Sequence, residues 1–189
     1  PSLWGKVTDK EGLPIAGANI QWLPMGKMKQ VTSSFADAGG NVMLMEPKKR
    51  KKEDYVICRH PDHATFGLCH IKSSKFNSKN LFEIKLSTGP SLDVKVLGLG
   101  QKGLADVEVG LKVPVKGKGH THDVPKFDVA QTNSKGEAHF PMLKKGDLKI
   151  TLKKEGWVAL KEQSIKHSSK AKVHTLHMIP AKSIPINVD

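Results

Sequence analysis

The feature that most constrains the fold of this chain is an internal repeat. Residues 7–20 read VTDKEGLPIAGANI, and residues 96–109, eighty-nine positions later, read VLGLGQKGLADVEV. In both segments a short strand pattern meets a turn that contains glycine, and a hydrophobic-Ala pair then leads into an alternating strand. A repeat of this length predicts two copies of one small domain. We expect the 189 residues to divide into domains at 1–88 and 89–189.

Short alternating apolar runs separated by turn residues fill both copies. We count seven such runs in each copy, and in the second copy we interpret residues 159–165 as a single strand. Short strands with a turn every eight to fourteen residues are typical of a β-sandwich. No window shows helical periodicity over three turns, so the sequence predicts an all-β protein.

The charge of the chain bears on its partners. Lys and Arg number 31 against 18 Asp and Glu, and only Arg50 and Arg59 among the basic residues are arginines. Lysine is a hydrated point charge, so a surface rich in lysine favours diffuse affinity for acidic polymers such as polysaccharide, or serves solubility alone, and does not favour sequence-specific nucleic-acid binding. No stretch of 18 apolar residues exists, so we expect no membrane span.

One basic run stands out between two predicted strands. We interpret it either as a solvated hairpin loop or as a polyanion-binding site. Its members are Lys48, Lys49, Arg50, Lys51 and Lys52.

Residues 58–70 hold the densest cluster of reactive side chains. If the flanking strands form a hairpin about His60 and His63, Cys58 and Cys69 face each other and a cross-strand disulfide follows. A zinc or copper site formed by Cys58, His60, His63 and Cys69 is the second reading, and His70 belongs to the same cluster. The third reading is two free thiols packed as small hydrophobes.

A second histidine cluster lies in residues 117–123. His120 and His122 would share one face of a strand, where they could hold a metal ion, or they could lie in an exposed loop rich in Gly and Lys. Of the three tryptophans, we expect at least two to pack in the core, and a sugar-stacking surface is the alternative.

The sequence resembles carboxypeptidase regulatory-like domains, which have a transthyretin-like, or prealbumin-like, β-sandwich. Residues 5–20 resemble the opening of such a domain. Residues 35–42 and 132–138 resemble its second motif, an Asp or Asn turn that runs into an apolar strand. Residues 146–157 resemble its third motif, a strand followed by Gly and an aromatic residue, whereas the first copy has residues 60–63 there. The resemblance implies two tandem seven-stranded Greek-key sandwiches.

Domains of this family are non-catalytic accessory modules in secreted or cell-surface proteins, so the resemblance implies a structural or adhesive role and no enzyme activity or cofactor. The expected partners are proteins or acidic polysaccharide, and edge strands allow self-association. A metal-binding module and a regulatory domain docked on an enzyme in a longer parent chain are the alternatives. Intradiol dioxygenases use a related sandwich but need two tyrosines for iron, and this chain has only Tyr55.

Overall fold

The structure is a computed structural model that describes residues 2–23, 32–45, 55–69, 82–116, 121–161, 163–168 and 172–182. Within these ranges the chain forms fifteen strands in four sheets, one short 3-10 turn at Leu99–Gln101, and no α-helix. The prediction of an all-β protein is confirmed.

Two compact units make up the chain. One comprises Pro1–Pro90, Pro114–Val124 and Met142–Lys145, and the other comprises Ser91–Val113, Pro125–Pro141 and Gly146–Asp189. Each repeat of the sequence supplies two of the four sheets, and each is described below by itself.

The first repeat forms one three-stranded and one four-stranded sheet. The strands are β1 (Ser2–Thr8), β2 (Asn19–Leu23), β3 (Thr32–Phe35), β4 (Asn41–Met45), β5 (Tyr55–His60), β6 (His63–Cys69) and β7 (Phe82–Lys85). The sheet orders are β4-β1-β7 and β3-β2-β5-β6, and β1 pairs antiparallel with β4 and parallel with β7.

Both of these sheets contribute to one hydrophobic core, which makes the first repeat a β-sandwich. Buried positions alternate with more exposed ones in β4 and β7, as the period of two predicts. Leu44 and Ile84 come from the three-stranded sheet, whereas Ile20, Trp22 and Val56 come from the four-stranded one, and all five are buried in the same cluster.

Among the described residues, the second repeat follows the same plan with one additional strand. Its strands are β8 (Leu92–Leu97), β9 (Glu108–Lys116), β10 (Thr121–Gln131), β11 (Glu137–Phe140), β12 (Gly146–Lys153), β13 (Trp157–Ala159), β14 (Gln163–His167) and β15 (Val173–Pro180). The sheet orders are β11-β8-β15-β13 and β10-β9-β12-β14, and β8 pairs antiparallel with β11 and parallel with β15.

The single strand predicted at residues 159–165 is wrong. Two strands occupy that stretch, and they belong to different sheets: β13 pairs with β15, whereas β14 pairs with β12. The chain crosses from one sheet to the other between Ala159 and Gln163. The sequence run looked continuous because both short strands alternate in the same phase.

Equivalent backbone hydrogen bonds occur in the two repeats. The Val7 N–H donates to the Gly40 carbonyl at 2.8 Å, and the Val96 N–H, 89 positions later, donates to the Gly136 carbonyl at 2.7 Å. Gly40 and Gly136 both have positive φ angles, 74° and 79°. The similarity that the sequence shows between the copies therefore extends to individual backbone contacts.

The two copies keep the same turn conformation and the same backbone hydrogen bond even where their sequences differ. Gly17 has a φ of 73°, and Asp106, its counterpart, adopts 55° although it carries a side chain. The Gly17 N–H donates to the Ala36 carbonyl at 2.9 Å, and the Asp106 N–H donates to the Thr132 carbonyl at 3.0 Å. Aspartate is among the few residues that tolerate this left-handed conformation, which is why the turn survives the exchange.

Candidate functional site

The β5–β6 hairpin carries the cysteines in a register that keeps them apart. Cys58 lies opposite Phe66, and Cys69 lies opposite Tyr55. The two cysteines are thus offset by three residues along the hairpin, or about 10 Å, whereas disulfides join Cα atoms within about 7 Å.

The structure therefore does not support the predicted Cys58–Cys69 disulfide. The turn is centred between Pro61 and Asp62, because His60 pairs with His63. Pairing the two cysteines would need the centre two residues later, between His63 and Ala64. A bulge between the Cys58 and His60 pairs moves the register by one residue toward that pairing, which leaves the offset of three residues.

Cys58 is a free thiol buried in the core of the first sandwich. Burial raises the pKa of this thiol to about 12, because a thiolate is poorly solvated among apolar side chains. Metal ligation and nucleophilic attack both need the thiolate. Near neutral pH, Cys58 therefore behaves as a small hydrophobic side chain, as the third reading expected of both thiols.

The two histidines at the hairpin turn come together. The Nδ1 atoms of His60 and His63 lie 3.2 Å apart, and the ring planes meet edge to face at 71° with centroids separated by 5.1 Å. The backbone N–H of Asp62 also donates to His60 Nδ1, at 3.2 Å. Both rings are half-buried. Of the sequence-predicted metal ligands, these are the two that the described part of the chain brings into contact.

Several other predicted site residues fall outside the described residues. They are Lys48, Lys49, Arg50, Lys51, Lys52, His70 and His120. His122 belongs to β10 and Cys69 to β6, but their side chains are outside the description too. Within the ranges that are described, no group of three or more His, Cys, Asp or Glu side chains converges as a metal site would.

A basic depression of about 440 Å³ lies on the second sandwich, and sequence reasoning missed it. It is lined by Ser91, Ile165, Lys166, His167, Ser168, Lys172 and His174. Its ionisable groups are all basic. The depression lies where the end of β14 meets the start of β15.

Both histidines of this depression face into the sandwich. His167 is buried at the end of β14, and His174 is half-buried on the inward-facing side of β15, two residues before buried Leu176. Burial, together with Lys172 and His167, lowers the pKa of His174. The positive charge of the depression at neutral pH therefore comes first from its lysines. The sequence contained a signal for the inward orientation of His174, because this residue lies two positions before the apolar Leu176 on the same face of the strand.

A second depression, of about 470 Å³, mixes both signs of charge. His139 Nδ1 and an Asp93 carboxylate oxygen lie 2.6 Å apart, and Lys95 lies 3.9 Å from Glu137. In each pair, the two residues lie directly opposite each other on the neighbouring strands β8 and β11. These exposed pairs form a cross-strand ladder that supports the sheet by at most about 1 kcal/mol per pair. The mixture favours neither an anion nor a cation.

The outer face of the β4-β1-β7 sheet carries an apolar patch. Trp4 is 55% exposed and lies opposite Met43, and Met45 is exposed on the same strand. Trp22, by contrast, is 1% exposed in the core, and half-buried Trp157 packs over Gly98. Trp4 therefore faces outward while its neighbour Leu3 faces the core.

Comparisons with known proteins show likeness in structure alone. No protein-family model and no curated protein matches the sequence. Among solved structures, the chain is similar to a Streptococcal ancillary pilin, with 11% identity and a TM-score of 0.42 over 96% of this chain, which spans 62% of that pilin. It is also similar to the minor pilin GBS52 of Streptococcus agalactiae, with 15% identity and a TM-score of 0.40, covering 95% of this chain and 90% of that one.

The shaft pilin SpaA of Lactobacillus rhamnosus GG gives a similar result. Its identity is 11% and its TM-score 0.38, covering 97% of this chain and 98% of the pilin. These three similar structures are described as pilins. The part of the chain that the structure describes contains no helix long and apolar enough to cross a membrane.

Proposed function

We propose that this chain is a non-catalytic structural or accessory module that binds acidic polymers at the cell surface or outside the cell. Two sandwiches of transthyretin-like, Greek-key type, with limits at 1–88 and 89–189, provide the scaffold. The support for that type is the strand plan shared by the two repeats, in which the first strand pairs antiparallel with the fourth and parallel with the last.

The observation that carries the proposal is the basic depression of the second sandwich. Lys166 and Lys172 supply charge, and two serine hydroxyls, on Ser91 and Ser168, supply hydrogen-bond donors. A concave site with one sign of charge attracts counter-ions more strongly than a flat surface does, because field lines converge there. A net charge of +13 adds long-range attraction for a polyanion.

The run of basic residues 48–52 is a second contact in this proposal. It lies in the first sequence repeat, whereas the basic depression belongs to the second. A long acidic polymer that contacts two sites gains avidity over one that contacts a single site. Self-association through edge strands remains a further prediction.

The test is retention on a heparin-like column as the salt concentration rises. We expect Lys166→Gln/Lys172→Gln to elute at clearly lower salt than the unmodified chain. The matched control is Lys10→Gln/Lys135→Gln, which removes the same net charge from two exposed turns. Equal shifts for the two double variants would show that net charge alone binds the polymer, and would overturn the depression as the site. Absence of retention of the unmodified chain at physiological salt would overturn the proposed function itself.

A further inference from the structure

The histidine pair of the β5–β6 turn has the geometry of a metal chelate. His60 and His63 are the two ends of a two-residue loop and pair directly across the hairpin. Their spacing is thus set by the backbone ladder and not by the chance meeting of long side chains. The result is two imidazole Nδ1 atoms 3.2 Å apart at a half-buried position.

The 3.2 Å separation of the two Nδ1 atoms is close to the distance between two nitrogen ligands of a tetrahedrally coordinated cation. Zinc binds histidine nitrogen at 2.0–2.1 Å, and two such bonds at the tetrahedral angle place the nitrogens roughly 3.3 Å apart. A cation between the two rings would therefore need a shift of about 0.1 Å in the separation of the Nδ1 atoms, together with a rotation of the rings that turns both lone pairs toward the cation.

The hydrogen bonds now present do not satisfy the pair well. A neutral imidazole nitrogen offers one lone pair, yet both the Asp62 N–H and the His63 ring approach His60 Nδ1 at 3.2 Å. Both contacts lie at the long end of the hydrogen-bond range. A cation would use the lone pairs of both Nδ1 atoms, and each ring would then carry its proton on Nε2.

We propose that His60 and His63 form a bidentate site for a divalent transition metal of the zinc or copper class. Imidazole nitrogen is a preferred ligand of both metals. Since no third His, Cys, Asp or Glu of the described residues completes the set, water fills the remaining positions. Buried Cys58 is not a ligand, which separates this site from the Cys-containing site that the sequence suggested.

The experiment titrates Zn²⁺, and separately Cu²⁺, into the full chain carrying no histidine tag. Calorimetry counts the sites, and two-dimensional NMR of the imidazole nitrogens identifies the ligands. We expect the Nδ1 resonances of His60 and His63 to shift with Zn²⁺ and to broaden with Cu²⁺. His63→Gln should remove one binding event, whereas His139→Gln, which changes an exposed histidine beside Asp93, should leave that event in place.

His60→Gln is the second variant, and circular dichroism with a urea midpoint confirms that each variant is folded. Cys58→Ala should leave zinc binding at the pair unchanged. Unshifted His60 and His63 resonances at saturating metal would overturn the proposal. Wild-type zinc binding in folded His63→Gln would overturn it too, and would point to other histidines. Neither outcome bears on retention by an acidic polymer.

Discussion

Two glycines of the first sandwich have nearly the same backbone angle but very different surroundings. Gly17 has a φ of 73° and Gly40 a φ of 74°. A Cβ built on Gly17 meets nothing within 4 Å, whereas one built on Gly40 lies 2.4 Å from the Val7 carbonyl oxygen and 3.3 Å from the Ile15 nitrogen. The pair of substitutions Gly17→Ala and Gly40→Ala therefore separates backbone strain from steric exclusion.

The magnitudes follow from these contacts. A left-handed alanine costs about 1–2 kcal/mol, and the loss of glycine's freedom in the unfolded chain returns about 0.4–1 kcal/mol, so Gly17→Ala should cost about 1 kcal/mol. Gly40→Ala carries the same cost and also forces the Val7 carbonyl away. Two backbone hydrogen bonds are then strained. The Ile15 N–H donates to the Val7 carbonyl at 3.0 Å, and the Val7 N–H donates to the Gly40 carbonyl at 2.8 Å.

At about 0.5–1.5 kcal/mol for each bond, Gly40→Ala should cost about 2–4 kcal/mol in total. The assay is urea unfolding followed by tryptophan fluorescence and far-ultraviolet circular dichroism, since the two units need not unfold together. Gly12→Ala, at a φ of 87° with open space around it, is the control and should behave as Gly17→Ala does. A difference below about 0.5 kcal/mol between Gly40→Ala and Gly17→Ala would refute the steric argument.

Three other outcomes follow from burial and hydrogen bonding. Trp22→Ala should cost about 3–5 kcal/mol in urea unfolding and Trp4→Ala less than about 1 kcal/mol, and similar costs would contradict their opposite exposures. Cys58 should resist a thiol reagent in the native chain at pH 8 and should react with it in denaturant without reductant. A denatured chain with no reactive thiol would support the Cys58–Cys69 disulfide and contradict the structure. Backbone and side-chain hydrogen bonds from Asn41 lower the pKa of Asp37, so its stabilisation is complete above the unfolded pKa and disappears as the pH falls through the lower, folded value. The urea midpoint should therefore fall in acid, and less steeply in Asp37→Asn; equal slopes would contradict this role.

The Asp37 turn illustrates how closely local sequence determined local structure. An Asx turn needs a short polar side chain that accepts backbone hydrogen bonds. Asp37 accepts from the Gly39 and Asn41 backbone amides at 2.9 and 2.8 Å. Asn133 accepts from the Lys135 and Glu137 amides at 2.9 and 3.0 Å. These contacts span two to four residues, so the residues themselves carry the information.

The hairpin of the cysteines shows where local information ended. The sequence brought Cys58 and Cys69 into one hairpin correctly, but it did not reveal the register. A shift of two residues in the turn centre moves every cross-strand pair, and Pro and Asp at the turn are compatible with more than one register. The same uncertainty concealed the His60–His63 contact, because residues three apart in a β-hairpin pair with each other only when a two-residue loop joins the strands.

The amino-acid sequence alone determined the all-β class through its short alternating runs, the two-copy plan through its repeat, and the positions of the glycine-bearing turns through the turn residues themselves, because each of these patterns can be recognised along the chain. Tertiary structure alone decided that Cys58 is an isolated core thiol, that the strand expected at residues 159–165 divides between two sheets, and that His167 and His174 meet in a basic depression. Those features join residues from different strands. Their proximity is set by sheet register and by the packing of one sheet on the other, and neither leaves a pattern along the chain.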